Sequence, residues 1–172
     1  LVVGGTGFIG INLVKKLLEL GLKVTCLSLK RKHNKLIHKN LRYVFCDYTN
    51  FHILKKKINK PFEYVVNLGG YIDHSKFFAK GRSVIDNHFL STMNLLLSLK
   101  RKKLRRYVHI GTCDEYGASI SPIKEDVRED PITSYALGKL ASINLLIMLK
   151  KTEDFPTKIS IRISTCFRNI VV

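Results

Sequence analysis

The sequence predicts a three-layer α/β domain built on a doubly wound parallel sheet, and three observations lead there. The chain opens on an apolar run, Leu1, Val2 and Val3, that passes through Gly4, Gly5, Thr6, Gly7, Phe8, Ile9 and Gly10 into an amphipathic stretch beginning at Ile11. Short apolar runs then alternate with segments of helical periodicity, the pattern of strands joined by crossover helices. The 172 residues suffice to bury one sizeable core and leave no room for a second domain of ordinary size.

Each element follows in order. Residues 1–3 read as a buried strand. In the turn after it, one glycine allows a conformation few other residues can make, a second lets backbone N–H groups approach a pyrophosphate, and a third lets helix and strand pack closely. The helix N-terminus adds unpaired donors and a positive dipole end. Gly4, Gly7 and Gly10 give a G-x-x-G-x-x-G spacing, shifted from the usual G-x-G-x-x-G. Gly21 ends the helix, and residues 22–29 alternate around Val24, Cys26 and Leu27 as a second strand. Residues 41–46 are a third, closed by Asp47; residues 50–59 form a short basic helix that Pro61 terminates; residues 63–68 are a fourth strand ending at Gly69 and Gly70. Val84, Ile85, Phe89, Met93, Leu96 and Leu97 recur near helical spacing, so residues 83–99 read as one long amphipathic helix. A fifth strand at 106–110, a helix at 134–150 and a sixth strand at 158–163 complete the pattern. Ligands of such sheets bind beyond the carboxyl ends of the strands. That rule singles out residues 4–10, 28–31, 47 and 48, 67–74, 111–117 and the segment after Ile163.

Composition narrows the function classes. The net charge is +17, with basic runs at 30–32 and 100–106. Those runs fall at helix ends and in loops, without the interleaved aromatic residues of a nucleic-acid stacking platform. They read as solvated faces, or as an attraction for anionic nucleotides, and no specific nucleic-acid binding is expected. The four cysteines, Cys26, Cys46, Cys113 and Cys166, form no C-x-x-C, and the six histidines form no H-E-x-x-H, so reduced thiols and no metal site are expected. The sequence has no apolar window of 18 residues and no secretory leader, which makes a cytoplasmic protein without a membrane span the expectation. The chain begins without Met and stops soon after the apolar stretch 159–163, so residues 1–172 are expected to be part of a longer, two-part enzyme whose C-terminal substrate domain is missing.

The chemistry centres on Tyr135 and Lys139. Four residues apart on a helix, they share a face. A phenol with a pKa of about 10 is a poor base at neutral pH, and lowering it by about three units takes about 4 kcal/mol of preferential phenolate stabilisation. The Lys139 ammonium and the positive ring of a bound nicotinamide would supply it. Thr112, at the mouth of the fifth strand, can donate to the same substrate oxygen as Tyr135; it can equally serve as a capping hydroxyl.

With these residues in order, the chain resembles the extended short-chain dehydrogenase/reductase family, the NAD(P)-dependent sugar epimerase/dehydratase group, and so implies a Rossmann-type fold. The landmarks are the glycine string; Cys46, Asp47 and Tyr48, matching the family's adenine contact; Asn67, Leu68, Gly69 and Gly70, matching its turn after strand four; Asn87 in the long helix; Thr112 with Tyr116 and Gly117; and Tyr135 with Lys139. The resemblance implies Thr112, Tyr135 and Lys139 as catalytic residues acting on a nucleotide-linked hexose. Gly4, Gly7, Phe8, Ile9, Gly10, Ser28, Lys30, Arg31, Asp47, Tyr48, Asn67, Leu68, Gly69, Gly70 and Asn87 would bind the cofactor, together with Tyr135 and Lys139. A homodimer is one assembly open to such a chain.

The chain departs from the family's pattern at three places. Ser28, followed by Lys30 and Arg31, stands where NAD-preferring relatives carry an acid on the ribose 2′-hydroxyl, which favours NADP over NAD. Cys113 and Asp114 replace the Asp-Glu pair of the 4,6-dehydratase branch, so a 4-epimerase or 4-keto reductase is favoured over a dehydratase or a reductase of another alcohol or ketone. After strand six, residues 165–169 replace the usual Tyr-Gly-Pro. A non-catalytic dinucleotide sensor or scaffold is the rival from another class, and a nucleic-acid binder the third reading.

Overall fold

The computed structural model describes residues 1–30, 36–118 and 127–160. Its strands are β1 (Val2–Val3), β2 (Val24–Ser28), β3 (Leu41–Phe45), β4 (Tyr64–Asn67), β5 (Arg106–Ile110) and β6 (Thr157–Ser160), in the sheet order β3-β2-β1-β4-β5-β6. Its α-helices are α1 (Phe8–Glu19), α2 (Phe51–Lys57), α3 (Arg82–Ile85), α4 (Ser91–Ser98) and α5 (Ser134–Glu153). This is the Rossmann-type doubly wound order, in which β1 is flanked on both sides. Two compact units divide the chain: residues 1–70 with 94–108, and residues 71–93 with the described residues from His109 onward.

In the first unit, β1 pairs in parallel with β2 (Val2 with Cys26, Val3 with Leu27) and with β4 (Val2 with Val66, Val3 with Asn67). A strand paired on both edges and covered on both faces must be continuously apolar, and Val2 and Val3 are both buried. Val2 packs with Val14 of α1 and Val24 of β2 at the centre of an apolar cluster. Helix α1 starts at Phe8, earlier than the expected Ile11, because Gly7 in extended conformation is already its N-cap and the Ile11 N–H reaches the Gly7 carbonyl at 2.9 Å. It ends in a Schellman arrangement at Gly21, whose φ is +76°: Gly21 N–H bonds Leu18 O at 2.9 Å and Leu22 N–H bonds Leu17 O at 3.1 Å.

The long helix expected over 83–99 differs most from its sequence reading. It begins at Phe77 and contains two π-helical stretches, Phe77–Gly81 and Asp86–Leu90, around α3. A π turn breaks the 3.6-residue repeat, so periodicity could register neither the early start nor the interruptions. In the second unit α5 runs to Glu153, beyond the expected residue 150, and Asp154 closes it in the left-handed region at φ 49°. Thr133 caps its start by accepting the Ala136 N–H at 3.1 Å. The expected sixth strand over 158–163 begins one residue earlier, at Thr157, and is described as far as Ser160; residues 161–163 lie outside the described residues.

Candidate functional site

In the first unit the glycine turn is built by backbone contacts. Gly4 sits at φ +76°, its N–H bonded to Leu27 O at 2.8 Å, and its carbonyl accepts the Gly7 N–H at 2.9 Å. A Cβ on Gly10 would overlap Gly4 O and approach Gly5 Cα to 2.6 Å, so the first turn of α1 lies directly on the loop. Gly7, the N-cap of α1, has no side chain to offer the first turn, and the side chains of Phe8 and Ile9 are exposed. A bare backbone cradle at an uncapped helix N-terminus fits the diphosphate of a dinucleotide.

Around this turn the sequence-selected residues gather at the ends of the first unit's strands. Ser28 is buried, and its Oγ accepts the Thr6 hydroxyl at 3.0 Å, tying the end of β2 to the glycine turn. Lys30 is exposed; Arg31 lies outside the described residues. Asp47 is exposed and its Oδ1 accepts both the Thr49 N–H (2.9 Å) and the Thr49 hydroxyl (2.7 Å). Asn67 Oδ1 accepts the Gly69 N–H at 3.0 Å while its Nδ2 donates to the Tyr107 hydroxyl at 3.2 Å, so the turn through Leu68, Gly69 and Gly70 is held from β4. The Tyr48 hydroxyl lies 2.5 Å from where a Cβ on Gly69 would stand, and burial pushes its phenol up to about 12. Asn94 of α4, which the sequence reading did not single out, donates to Tyr48 O and Thr49 O at 3.2 and 2.7 Å and so fixes the segment after β3. A lone Asn in an apolar helical repeat gives no sequence signal for that role.

In the second unit, β5 delivers Thr112 and α5 delivers Tyr135 and Lys139. The phenol of Tyr135 is hydrogen-bonded to the Thr112 side chain, and Lys139 donates from Nζ to the carbonyl of Ile110. All three are buried. Thr112 is also the capping hydroxyl of the turn Cys113–Tyr116: its Oγ1 accepts the Asp114 N–H at 3.3 Å and Glu115 Oε1 accepts the Thr112 N–H at 2.9 Å. The capping reading of Thr112 therefore holds.

The electrostatics differ from the sequence expectation. The Tyr135 phenol is pushed up, not down: burial dominates, and Asp114, Glu115 and Cys113 add to it, against the lowering by Thr112. Lys139 spends its ammonium on Ile110 O, and its own pKa is lowered to about 8 by burial, with Glu115 pulling the other way. Within this chain, the lowering of the phenol therefore rests on Thr112.

Two further groups surround Tyr135. The ring of His88, in the second π-helical stretch, meets the Tyr135 ring edge-on at 5.0 Å between centroids, and exposed His74 does so at 5.8 Å. His88 is buried, bonds Tyr71 O through Nε2 at 3.0 Å, and is held neutral, lowered to about 4 by burial and then by Lys139. Its own carbonyl accepts the hydroxyls of Ser91, Thr92 and Ser142. Gly138 permits this approach, since a Cβ there would stand 3.1 Å from the His88 Cβ. Asn87 Nδ2 donates to Ser83 O at 2.6 Å and to the Tyr71 hydroxyl at 3.4 Å, within the same helix and loop. The sequence reading singled out 67–74 and 111–117 but gave His74 and Glu115 no role, and it missed His88. Only Glu115 had a signal, the Thr-x-x-Glu spacing of a capping box.

Cys26 and Cys46 are buried free thiols and Cys113 is half-buried; Cys166 and the loop 165–169 lie outside the described residues. Among the described residues no group of three His, Cys, Asp or Glu could hold a metal, and no helix is long and apolar enough to cross a membrane.

Comparison with known proteins places this arrangement. The ADP-L-glycero-D-manno-heptose-6-epimerase of Brachyspira hyodysenteriae is 31% identical over 147 residues, covering 81% of this chain and 45% of its own length. The UDP-glucose 4-epimerase of Lacticaseibacillus casei is 27% identical over 143 residues, covering 81% of this chain and 43% of its own. The chain thus spans less than half the length of these curated relatives. Among solved structures, the UDP-glucuronic acid 4-epimerase from Bacillus cereus in complex with NAD superposes with a TM-score of 0.78 at 23% identity, over 92% of this chain and 54% of that one. The model of the NAD dependent epimerase/dehydratase family matches residues 1–167, and the chain belongs to that family.

Proposed function

We propose that residues 1–172 are the cofactor-binding part of an enzyme that oxidises and reduces a nucleotide-linked sugar, as a 4-epimerase or a 4-keto reductase. The observation that carries this reading is the Tyr135 phenol bonded to Thr112 on the helix face that also bears Lys139. A bound nicotinamide dinucleotide supplies hydride exchange with a sugar carbon. Gly4, Gly7 and Gly10 keep side chains away from the diphosphate, and the first N–H groups of α1, including those of Phe8 and Ile9, oppose its charge. Asp47, with Tyr48, and the turn at Asn67, Leu68, Gly69 and Gly70 border the adenosine half. Tyr135 exchanges a proton with the sugar hydroxyl, Thr112 donates to the same oxygen, and Lys139, one turn along α5, would hold the nicotinamide ribose. Asn87 holds the loop at Tyr71 that carries His74.

Ser28, in place of an acid at the end of β2, with Lys30 and Arg31 following, supports NADP as the preferred cofactor, since residues 28–35 include no acid to repel a 2′-phosphate. The location in keeping with such substrates is the cytoplasm. A dehydratase needs two further proton-transfer groups beside Tyr135, and Cys113 offers a thiol where a carboxyl group would serve.

The test is to incubate the full gene product with a panel of nucleotide-linked hexoses and their 4-keto derivatives, following products by NMR and mass spectrometry. Exchange of C4 stereochemistry, or reduction of the 4-keto group at the expense of reduced cofactor, is the expected result. Loss of one water at catalytic rates would instead assign Asp114, or a residue outside 1–172, to elimination.

A further inference from the structure

His88 is a buried polar ring that the proposed reaction does not use. It is 3% exposed, in the second π-helical stretch, and its Nε2 lies 3.0 Å from the carbonyl oxygen of Tyr71. A carbonyl oxygen can only accept, so Nε2 carries the proton and Nδ1 of the neutral ring is left as an acceptor. That Nδ1 is buried and has no partner among the described residues. A Leu or Phe in its place would leave no acceptor unmet, so filling space does not explain an imidazole. What the imidazole adds is the bond to Tyr71 O, made by the same ring that meets the Tyr135 ring edge-on at 5.0 Å.

Tyr71 opens the loop 71–76, which has no regular structure. The π-helical stretches hold it at both ends. At Tyr71, His88 bonds the carbonyl and Asn87 Nδ2 donates to the hydroxyl at 3.4 Å; at Lys76, the carbonyl accepts the N–H groups of Ala79 and Gly81, each at 3.0 Å. A Cβ on Gly81 would stand 2.9 Å from Ser75 O and from Lys76 C, so the loop lies directly on the first stretch. Between these anchors Asp73 Oδ1 accepts the Ser75 N–H at 2.8 Å, a turn with His74 at its centre. The His74 ring meets the Tyr135 ring edge-on at 5.8 Å, and it is exposed where Tyr135 is buried. Stretches of π-helix are frequent at functional sites, and here both serve the one loop that reaches Tyr135. Tyr71, His74, His88 and Tyr135 all belong to the second unit.

We propose that His88 is a positioning residue: through Tyr71 O it holds the loop 71–75 against Tyr135, so that His74 stands beside the phenol as a polar wall for the hydroxyl groups of the sugar. The purpose of this anchoring rests on the proposed acid/base role of Tyr135; the anchoring itself is a property of the folded chain. Gly138 belongs to the same device, since a Cβ there would crowd the His88 Cβ at 3.1 Å and push the ring off its place.

The anchoring is read by NMR on the full gene product carrying isotope-labelled histidine, with no substrate present. The bond requires His88 to be the Nε2–H tautomer, and a Nδ1–H tautomer overturns the proposal whether or not any variant folds. The His74 signals, assigned by their loss in His74→Ala, should move in His88→Phe, which keeps a ring beside Tyr135 and removes the donor. In His88→Gln, which keeps an N–H donor in the place of Nε2, they should stay nearer to their wild-type position. His74 signals unmoved in a folded His88→Phe protein overturn the proposal. Kinetics with a nucleotide-linked sugar then test the purpose: His88→Phe should raise KM for the sugar about tenfold, the size of one hydrogen bond, with kcat changed much less. A loss confined to kcat would mark a merely structural residue and overturn the positioning role. A wild-type protein that turns over no such sugar would instead count against the acid/base role of Tyr135, and the NMR result would still decide the anchoring.

Discussion

Replacing Gly10 by Ala tests the geometry on which the dinucleotide reading stands. A Cβ at Gly10 would overlap Gly4 O and lie 2.6 Å from Gly5 Cα and 2.9 Å from Gly5 C, all backbone atoms of a loop that β1 and α1 hold at both ends. None of these can rotate away. Overpacking a well-filled site costs typically about 1–3 kcal/mol, and contact with main chain belongs at the upper end. The better helix propensity of Ala returns about 1 kcal/mol, leaving a net loss of about 2 kcal/mol. Gly21→Ala is the internal control: its φ is +76° but no atom lies within 4 Å of the added Cβ, so only the left-handed conformation is penalised, at about 1 kcal/mol. With a urea m-value of about 2 kcal/mol/M, Gly10→Ala lowers the unfolding midpoint by about 1 M and Gly21→Ala by about 0.5 M. Gly10→Ala alone should also lose dinucleotide binding, because relieving the overlap displaces the loop from the helix N-terminus. Circular dichroism in urea and isothermal titration with the dinucleotide measure both effects. A Gly10→Ala protein as stable as Gly21→Ala that binds normally would refute the close approach.

Tyr135→Phe keeps the ring and removes the hydroxyl, so turnover should fall by about 10² or more with cofactor affinity little changed; near-normal activity would remove Tyr135 from the mechanism. Titration calorimetry should show NADP bound more tightly than NAD, and a tenfold preference for NAD would reduce Lys30 and Arg31 to an ordinary basic surface. His88 is neutral in the fold, with its pKa near 4 against 6.5 unfolded. The unfolded state therefore takes up its proton first as pH falls below 6.5, and the fold loses up to about 3 kcal/mol by pH 4. His88→Gln should flatten that acid loss in urea titrations at pH 7 and 4.5, whereas an equal loss in variant and wild type would contradict it. Residues 1–172 made alone should bind cofactor weakly and show no turnover of a nucleotide-linked sugar, and substantial steady-state turnover would show that no further substrate contacts are needed.

Whatever depends on neighbours in sequence was legible before the structure. The order of strands and helices, the glycine turn and its helix, the Gly21 stop and the Tyr135–Lys139 pairing all rest on local sterics and on periods of two or 3.6 residues. Tertiary structure decided the rest, because the deciding contacts join residues far apart along the chain. The π-helical stretches bring His88 onto Tyr135, and no repeat in residues 77–98 encodes them. Tyr135 was expected to be lowered by Lys139 together with a bound nicotinamide; in the chain by itself folding buries the phenol and turns the ammonium to Ile110 O, so burial raises it. Glu115 illustrates the boundary between the two. Its spacing from Thr112 is a sequence fact, but that its carboxylate is shut away from water follows only from how the second unit packs. Local pattern determines which elements form, and burial determines what charge a side chain can carry once they have.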